Sequence, residues 1–464
     1  MARWYHYSAG LKRTRQRIQC VRDGPSRRPR HANLILSAIT LIVTMWAAGC
    51  EAEPPRSATT DREAKPGGQT GLPRPVLQAA IDRSAQYLVQ ACQSDGRFTY
   101  RINLDPNIEP EPRYNVLRHA GTIYALAQYC QHAESRRAKE AMIRAAGFLK
   151  QRCVGPIADN PNFLGVWSEP DLVGGDQRRQ AKLGGTGLGL VALLCVEQVE
   201  PGVTSIEELR KLGRFLIFMQ KSDGSFYSKF YPDIGRYDLW QSVYYPGEAA
   251  LGLLMLYQRD PAQRWLHTAT KALEDLARRG SRLSSPFPDQ WYLLSLQQWF
   301  QLAGDQYDST VQDRLLDHAR RLCKSMVEDQ KTQQGVVTLH GCFTPDGRTC
   351  PSATRLEGLL AALQYLPPED EPLRRDVRQA IERGLPFLIR SQVTEGPHAG
   401  AIPRFTPGFT PPGPRDATNT RLQEVRIDYV QHALSAMIAY EQEFFPQAAP
   451  RRPETKGIEN AQKP

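Results

Sequence analysis

A segment that recurs about every 60 residues is the sequence feature that most constrains the fold. Its clearest copy lies at residues 214–226, Arg-Phe-Leu-Ile-Phe-Met-Gln-Lys-Ser-Asp-Gly-Ser-Phe, and residues 85–98 repeat the aromatic-Leu pair, the glutamine and the Asp-Gly-x-Phe turn. Partial copies lie at 386–392, 147–151 and 322–330, so the glutamines fall at 93, 151, 220, about 330 and 392, with a gap near 279. This spacing indicates stacked supersecondary units, and it predicts six of them.

Two kinds of predicted helix alternate along the chain. Amphipathic, charged helices are expected at 75–93, 136–153, 205–220, 262–279, 311–327 and 373–391. Helices that are apolar almost all round are expected at 117–130, 183–196, 247–257, 289–302, 354–365 and 427–440. Because a helix with one polar face belongs on the outside and a helix without one belongs in a core, each pair forms an outer–inner hairpin. The pattern therefore predicts an all-α fold, an (α/α)6 toroid in one domain at 73–445, whose outer helices end at Asp-Gly turns.

The stretch aromatic-Leu-x-x-x-Gln-x-x-Asp-Gly-Ser-Phe resembles the repeat of terpenoid cyclases and protein prenyltransferases, the squalene cyclase type. The resemblance covers about residues 75–445 and implies an α/α toroid. It does not carry over the activity, because the sequence has neither the Asp-x-Asp-Asp motif of squalene-type cyclases nor the Cys-Gly-Glu-Gln string of complement-like thioester domains. The same general barrel serves glycoside hydrolases, polysaccharide lyases and sugar epimerases, so the function has to be argued from a site.

The first 50 residues predict a signal peptide. Residues 1–49 hold nine Lys/Arg and one acidic residue, which is +8 of the total net charge of +10, so the rest of the chain does not predict a nucleic-acid-binding surface. The apolar run at 34–48 is about 15 residues long, short for a spanning helix and typical of a signal peptide. Ala47-Ala48-Gly49-Cys50 resembles the bacterial lipobox, which implies lipidation of Cys50 and a membrane-anchored lipoprotein of the bacterial cell envelope, facing the periplasm or the exterior. An uncleaved membrane anchor is the alternative.

The segments on either side of the toroid are rich in Pro, Gly, Ser, Thr and charge. Residues 51–72 predict a flexible tether and residues 446–464 a disordered tail. Within the toroid, Cys342 and Cys350 lie in a predicted loop, and in an oxidising compartment they are expected to form a disulfide. Zinc bound by His340, Cys342 and Cys350, with His432 as a further ligand, and unpaired thiols are the alternatives. The Cys-x7-Cys spacing is not a usual zinc spacing, so neither a metal nor another cofactor is predicted.

Ionisable and aromatic side chains recur where the inner helices are expected to begin. The helix dipole stabilises an anion at such an end, which explains carboxylates as simple caps but does not explain arginines. The arginines and aromatic residues predict a polar funnel for an anionic or polyhydroxylated ligand. The residues expected to act as acids or bases are Glu248, Glu357 and His119, and those expected to bind the substrate are Arg118, Tyr244, Asp289, Trp291, Arg355, Asp428 and His432.

Three functions of different classes fit this pattern. The first is an envelope-tethered hydrolase, lyase or epimerase acting on a glycan or uronate-type sugar, with paired groups as acid and base. The second is a non-catalytic scaffold that binds an envelope glycan or a protein. The third is an isoprenoid- or lipid-handling protein, which the charged helix starts disfavour. The sequence contains neither a P-loop nor a Gly-x-Gly-x-x-Gly fingerprint, and it leaves the reaction, the ligand and the oligomeric state open.

Overall fold

The computed structural model describes residues 72–446 except 159, 175–176, 332–334, 336 and 411–420. The predicted signal peptide with Cys50, the tether before residue 72 and the tail after residue 446 lie outside the described residues. None of the helices in the described part combines the length and the hydropathy of a bilayer-spanning segment.

Helices make up most of the described chain. In chain order they are α1 (Arg74–Ala91), α2 (Val116–His132), α3 (Arg136–Arg152), α4 (Pro170–Val173), α5 (Leu183–Val199), α6 (Ile206–Phe218), α7 (Tyr245–Arg259), α8 (Gln263–Gly280), α9 (Gln290–Ala303), α10 (Ser309–Lys331), α11 (Thr349–Leu363), α12 (Glu371–Ser391) and α13 (Ile427–Phe444). The strands are β1 (Arg101–Asn103), β2 (Val154–Ile157), β3 (Asn160–Ser168), β4 (Gln180–Lys182), β5 (Lys229–Tyr231), β6 (Gly235–Tyr237) and β7 (Glu424–Arg426).

Six helices close into an inner ring. Helices α2, α5, α7, α9, α11 and α13 pack side by side in that order, and α13 packs back against α2. The ring is buried because these helices lack a polar face; in α5 every residue from 183 to 196 is buried. The outer helices α1, α3, α6, α8, α10 and α12 bury one face each. The arrangement is the predicted (α/α)6 toroid.

The repeated glutamine ties neighbouring outer helices together. In three copies its side-chain amide donates to a backbone carbonyl inside the next outer helix, so the buried amide is itself satisfied. The bonds run from Gln220 to Thr268 on α8 (2.9 Å), from Gln330 to Ala380 on α12 (2.9 Å) and from Gln392 to Ala80 on α1 (2.9 Å). The last of these closes the ring, since it joins the final outer helix to the first. The repeat is therefore a structural device, which is why it predicts the fold and not the chemistry.

The glycine of the repeat is required for a close approach between backbones. Gly224 has a φ of +88°, and a Cβ on it would lie 2.5 Å from the carbonyl oxygen of Lys271 on α8. Gly341 repeats the arrangement, with a φ of +89° and only 2.1 Å from such a Cβ to the carbonyl oxygen of Arg383 on α12. Positive φ and a backbone contact at this distance both exclude a side chain.

Replacing Gln330 by alanine is expected to lower the free energy of unfolding by about 2 to 4 kcal/mol, measured by denaturant titration. The side chain is 1% exposed and donates to the carbonyls of both Gly341 (3.0 Å) and Ala380 (2.9 Å), and the substitution removes both bonds and leaves a cavity in their place. The matched control is Gln93→Ala, because the exposed side chain of that glutamine donates to the Thr99 hydroxyl (3.3 Å) and to no carbonyl of a described outer helix. Equal losses in the two variants would contradict the assignment.

Two small antiparallel sheets, which the sequence pattern did not predict, lie where the inner helices begin. β1 pairs with β7, and β2 to β6 form a five-stranded sheet in chain order. β4 ends immediately before α5 and β7 immediately before α13, so the strands hold the chain in place as it enters the inner ring. This end of the ring, where the six inner helices begin, is called the mouth below.

Candidate functional site

The mouth brings together most of the residues that the sequence nominated. At its centre the Arg118 guanidinium on α2 faces Asp428 on α13, with Nε 3.5 Å from Oδ2. Arg426, at the end of β7, donates two hydrogen bonds to the same carboxylate, from Nε to Oδ1 (2.9 Å) and from Nη2 to Oδ2 (2.6 Å). These three residues are called the arginine–aspartate cluster. Two guanidiniums share one carboxylate, so the cluster carries a net positive charge.

Burial and charge act in opposite directions on Asp428. Its side chain is fully buried, which by itself raises the pKa, but the guanidiniums of Arg426 and Arg118 outweigh burial and hold the pKa below its ordinary value. Asp428 is thus ionised, and its carboxylate is paired with Arg118 and Arg426. Asp428 therefore orients the two arginines, and a direct role in binding the substrate stays a prediction.

Glu248 is a buried carboxyl aimed into the same region. It lies in the first turn of α7, is 3% exposed, and its Oε2 atom has no hydrogen-bond partner among the described residues. Burial raises the pKa of Glu248 to about 8; Arg118 opposes this shift and Asp289 adds to it. The carboxyl packs against Gly184 of α5, where a Cβ would lie 1.9 Å from Oε2, so only glycine leaves room for it. At neutral pH Glu248 therefore holds a proton.

Asp289 lies beside this group as the N-cap of α9. Its Oδ1 accepts from the backbone N–H of Tyr292 (3.1 Å), which fixes the carboxyl at the helix start. Burial raises the pKa of Asp289 to about 7, against the effect of the backbone N–H donor. The capping role is observed, and a direct role in binding the substrate stays a prediction.

Glu357 and His432 form a second acid–base pair, between α11 and α13. Oε2 of Glu357 lies 2.7 Å from Nδ1 of His432, and the side chains are 3% and 1% exposed. Burial raises the pKa of Glu357, although His432 works against this shift. The Trp291 ring meets the His432 ring edge-on, with centroids 6.1 Å apart. The pair thus shares a proton in a fixed orientation, as a hydrogen-bonded carboxyl–imidazole pair does.

Partly exposed residues form the upper wall of the mouth. Tyr244, just before α7, lies within electrostatic range of Asp289, Arg355 and Arg118. Arg355 is 14% exposed and its Nη2 atom lies 3.4 Å from Oδ2 of Asp329, so it pairs with a carboxylate other than Asp428. On the α5 side, Lys182 and Lys229 stand opposite each other in neighbouring strands. Burial and the charge of Lys229 lower the pKa of Lys182 to about 8.

The structure does not bring His119 into this group. Its ring lies between α2 and α3, packed against Phe98 and Phe148, with centroids 5.1 and 5.2 Å away. Nδ1 lies 2.7 Å from the Tyr114 hydroxyl and Nε2 lies 2.9 Å from the carbonyl oxygen of Ala145. Burial lowers the pKa of His119 to about 4, so the ring is neutral and fully bonded. This corrects the expectation of an acid or base at that position, because the ring is turned to the outer helix.

The expected disulfide is corrected as well. Cys342 and Cys350 are separate free thiols. α11 begins at Thr349, five residues earlier than predicted, so Cys350 belongs to the helix and not to a loop. The Cys342 sulfur is turned towards the carbonyl oxygen of Thr344 (3.2 Å). Cys350 lies in the electrostatic surroundings of Asp428 and Arg118, which the sequence reasoning missed because it assigned this cysteine to a bridge.

Two further aromatic residues belong to these surroundings. Trp291 is 1% exposed and its ring supports His432, while a direct contact of Trp291 with the substrate stays a prediction. Tyr245, which was not singled out, lies in the electrostatic surroundings of both Glu248 and Arg118. Its position one residue after Tyr244, at the start of an inner helix, was the available signal. The described residues contain no group of three or more His, Cys, Asp or Glu side chains placed to hold a metal ion.

A separate groove of about 550 Å³ lies on the outer wall, between α8 and α10. Its charged side chains pair with one another; Arg314 Nη1, for example, lies 2.7 Å from Oε1 of Glu274. Oδ2 of Asp275 and Nδ1 of His318 have no hydrogen-bond partner in the described part of the chain, but the Asp275 carboxylate forms ion pairs with Arg278 and Arg279, whereas the Glu248 carboxyl at the mouth forms no ion pair with a described residue. The mouth is accordingly the stronger candidate site.

Comparison with known proteins identifies the class of fold. The sequence matches no protein-family model, and it matches no curated protein at a significant level. Three similar solved structures are a D-mannose isomerase (TM-score 0.58, 12% identity, 79% of this chain and 98% of that one), the cellobiose 2-epimerase from Spirochaeta thermophila DSM 6192 (0.55, 13%, 80% and 98%) and an unsaturated glucuronyl hydrolase specific for heparin (0.53, 10%, 80% and 98%). At these identities the likeness shows the fold alone: this chain is an α/α six-hairpin toroid, and the narrower kinship with terpenoid cyclases stays a prediction.

Proposed function

We propose that this chain is a membrane-tethered, extracytoplasmic protein that binds a carboxylate-bearing saccharide at its mouth and exchanges protons with it. The observation that carries the proposal is the arginine–aspartate cluster beside Glu248. Its two guanidiniums share one carboxylate, which leaves positive charge next to a protonated acid. An anionic ligand completes that charge balance, and arginine binds carboxylates through two parallel bonds.

Arg118 is the residue proposed to meet the ligand. Its side chain is 32% exposed and makes only a long contact with Asp428, whereas Arg426 is 21% exposed and already holds both carboxylate oxygens. Arg426 and Asp428 thus orient Arg118, and its remaining N–H groups are available to a uronate. A neutral sugar would leave this charge unmatched in a partly buried place, which is unfavourable.

The two acid–base groups supply the chemistry. Glu248 holds a proton at neutral pH and has an unpaired oxygen, so it serves as the proton donor. The Glu357–His432 pair serves as the acceptor, because the hydrogen bond to the Glu357 carboxyl fixes the orientation of the imidazole ring, a side chain that takes up protons in many active sites. Hydrolysis, β-elimination and epimerisation of a uronate each need one donor and one acceptor. The proposal covers all three reactions, and the products observed distinguish them.

The similar structures and the N-terminus support the proposal from two other sides. Proteins of this fold include, by their names, an isomerase of mannose, an epimerase of cellobiose and a glucuronyl hydrolase. The lipobox-like Cys50 would tether the toroid to the envelope, where glycans are exposed. Labelling cells with a clickable fatty acid and comparing the chain with its Cys50→Ser variant tests the tether; label that persists in the variant would exclude lipidation at this cysteine.

Arg118→Gln is expected to weaken binding of methyl β-D-glucuronide about 10- to 100-fold, since it removes a charge-assisted contact. Isothermal titration of the full chain measures this affinity. Binding of methyl β-D-glucoside, which carries a hydroxymethyl group in place of the carboxylate, should be weak and should not change in the variant.

Arg136→Gln is the matched control, because that arginine is 91% exposed on α3 and pairs only with Glu140. If Arg118→Gln left the glucuronide affinity intact, the arginine–aspartate cluster would not be the carboxylate site. Binding of uronate oligosaccharides without any product would move the assignment to a binding scaffold.

A further inference from the structure

Large apolar side chains are exposed mainly on one side of the mouth. Of the eight large hydrophobic residues that are exposed in the described part of the chain, five lie in the two segments that lead into α7 and α9. They are Leu239 (87% exposed), Trp240 (43%), Val243 (49%), Leu283 (49%) and Phe287 (50%), and together they are called the apolar rim. Single exposed hydrophobic residues are ordinary, but five in two adjoining segments indicate a contact surface.

Aromatic contacts connect this rim to the candidate site. The Phe287 ring meets the Tyr244 ring with centroids 5.3 Å apart, and Tyr244 lies within electrostatic range of Asp289 and Arg355. The Trp240 ring meets the Tyr245 ring with centroids 5.8 Å apart, and Tyr245 lies close enough to Glu248 for that carboxyl to add to the rise that burial causes in the pKa of Tyr245. Two aromatic contacts thus connect the exposed apolar rim to the charged residues of the mouth.

The Trp240 ring is also held in place from the strand side. The ammonium group of Lys229 lies 4.3 Å from its centroid, a cation–π contact that orients the ring. Because Lys229 stands opposite Lys182 in the neighbouring strand, the ring is anchored to the sheet that leads into the inner ring. An exposed tryptophan fixed in this way offers a preformed apolar surface.

We propose that the natural ligand is amphiphilic: a uronate-type sugar whose carboxylate meets Arg118 and whose apolar aglycone lies along the apolar rim. The inference rests on the proposed function and specifies its substrate class as a saccharide that carries an alkyl, isoprenoid or aryl group. The unbroken contact between the apolar rim and the mouth favours this occupant over a bilayer surface. A group attached to the bound sugar meets Tyr244 and Tyr245 first and then Phe287 and Trp240. Docking on a bilayer would not need such a connection to the charged residues of the mouth.

Two glycosides that differ only in the aglycone test the inference on the full chain. Octyl β-D-glucuronide, used below its micelle concentration, is expected to bind at least about tenfold more tightly than methyl β-D-glucuronide, since each buried methylene contributes roughly fourfold in affinity. The double variant Trp240→Ser/Phe287→Ser should abolish this gain and leave the methyl glucuronide affinity unchanged. Val76→Ser, at a residue 44% exposed on α1, should retain the gain.

The outcomes separate this inference from the proposed function. Equal affinity for the methyl and octyl glucuronides, or a gain that survives the double variant, would overturn the rim inference and leave the uronate site standing. Octyl β-D-glucoside binding as tightly as octyl β-D-glucuronide would keep the rim and overturn the carboxylate assignment. If neither glucuronide binds, both proposals fall. Flotation with phosphatidylcholine vesicles that the double variant loses would assign the rim to a bilayer instead.

Discussion

Replacing Glu248 by glutamine is expected to lower turnover of uronate oligosaccharides by about 10²- to 10⁴-fold while leaving binding within a few fold. Glutamine keeps the shape of the side chain and removes only the transferable proton. Since burial raises the pKa of Glu248 to about 8, activity that depends on this proton should be present below pH 8 and fall as the pH rises through that value. Release of product at a series of pH values, with the enzyme saturated, measures this.

The same variant has a second readout that does not depend on activity. The pKa of Glu248 is about 8 in the fold against an ordinary value of 4.5, so the folded state binds the proton more tightly. Its contribution to stability is fully present below pH 4.5 and is lost as the pH rises through 8. The loss is on the order of 4 to 5 kcal/mol. Glu248→Gln lacks this dependence on pH. In denaturant titrations, the free energy of unfolding of the variant relative to that of the wild type should therefore be higher at pH 9 than at pH 5.

Glu369→Gln, at an exposed carboxyl in the turn that follows the C-terminal end of α11, is the control for both readouts. It should change neither the turnover nor the difference in stability between pH 5 and pH 9. A wild type and a Glu248→Gln variant with parallel stability curves would mean that Glu248 is not a buried neutral acid. Parallel curves would remove the proposed proton donor, even if the glutamine variant were inactive.

The fold was predictable because three copies of the repeat make the same bond between neighbouring outer helices. A glutamine that ends an outer helix and a glycine with positive φ recur at a fixed spacing, and the structure uses them to join successive outer helices. The sheets escaped prediction since their strands are short; β4, for example, has three residues and lies within the glycine- and charge-rich segment before α5.

The sequence predicted which inner-helix starts supply the residues of the site, but not which of those residues contact each other. Arginines at those starts oppose the helix dipole, and this anomaly located Arg118, while Glu248 and Asp428 followed from their positions. The partners across the ring were not predictable: Glu357 and His432 are 75 residues apart and meet only once the ring closes. Neighbours in sequence also diverge, because successive helix residues point about 100° apart. Arg118 therefore faces the mouth while His119 faces α3.

Asp428→Asn is expected to lower the free energy of unfolding by about 3 to 5 kcal/mol, because it leaves the guanidiniums of Arg118 and Arg426 facing each other without their shared carboxylate. The Asp428 side chain is fully buried and within 2.6 Å of Arg426, so water does not replace the lost charge. In the wild type the pKa of Asp428 is lowered, so the stability it contributes is present at neutral pH and is lost as the pH falls through that lowered pKa. Denaturant titration at neutral pH measures the difference.

A control at an exposed ion pair and a double variant test whether the loss of stability comes from the arginine–aspartate cluster. Asp317→Asn removes a carboxylate that is 70% exposed and pairs with Arg320 at 2.9 Å, and it should cost less than about 1 kcal/mol. Asp428→Asn/Arg118→Gln should recover part of the loss, since one of the two unbalanced charges is gone. If Asp428→Asn unfolds the chain outright, the double variant still decides the question, because a folded double variant shows that the unbalanced charge caused the failure. A loss of stability no larger than that of Asp317→Asn would mean that Asp428 does not hold the two arginines in place. The arginine–aspartate cluster proposed to bind the ligand would then have no fixed geometry.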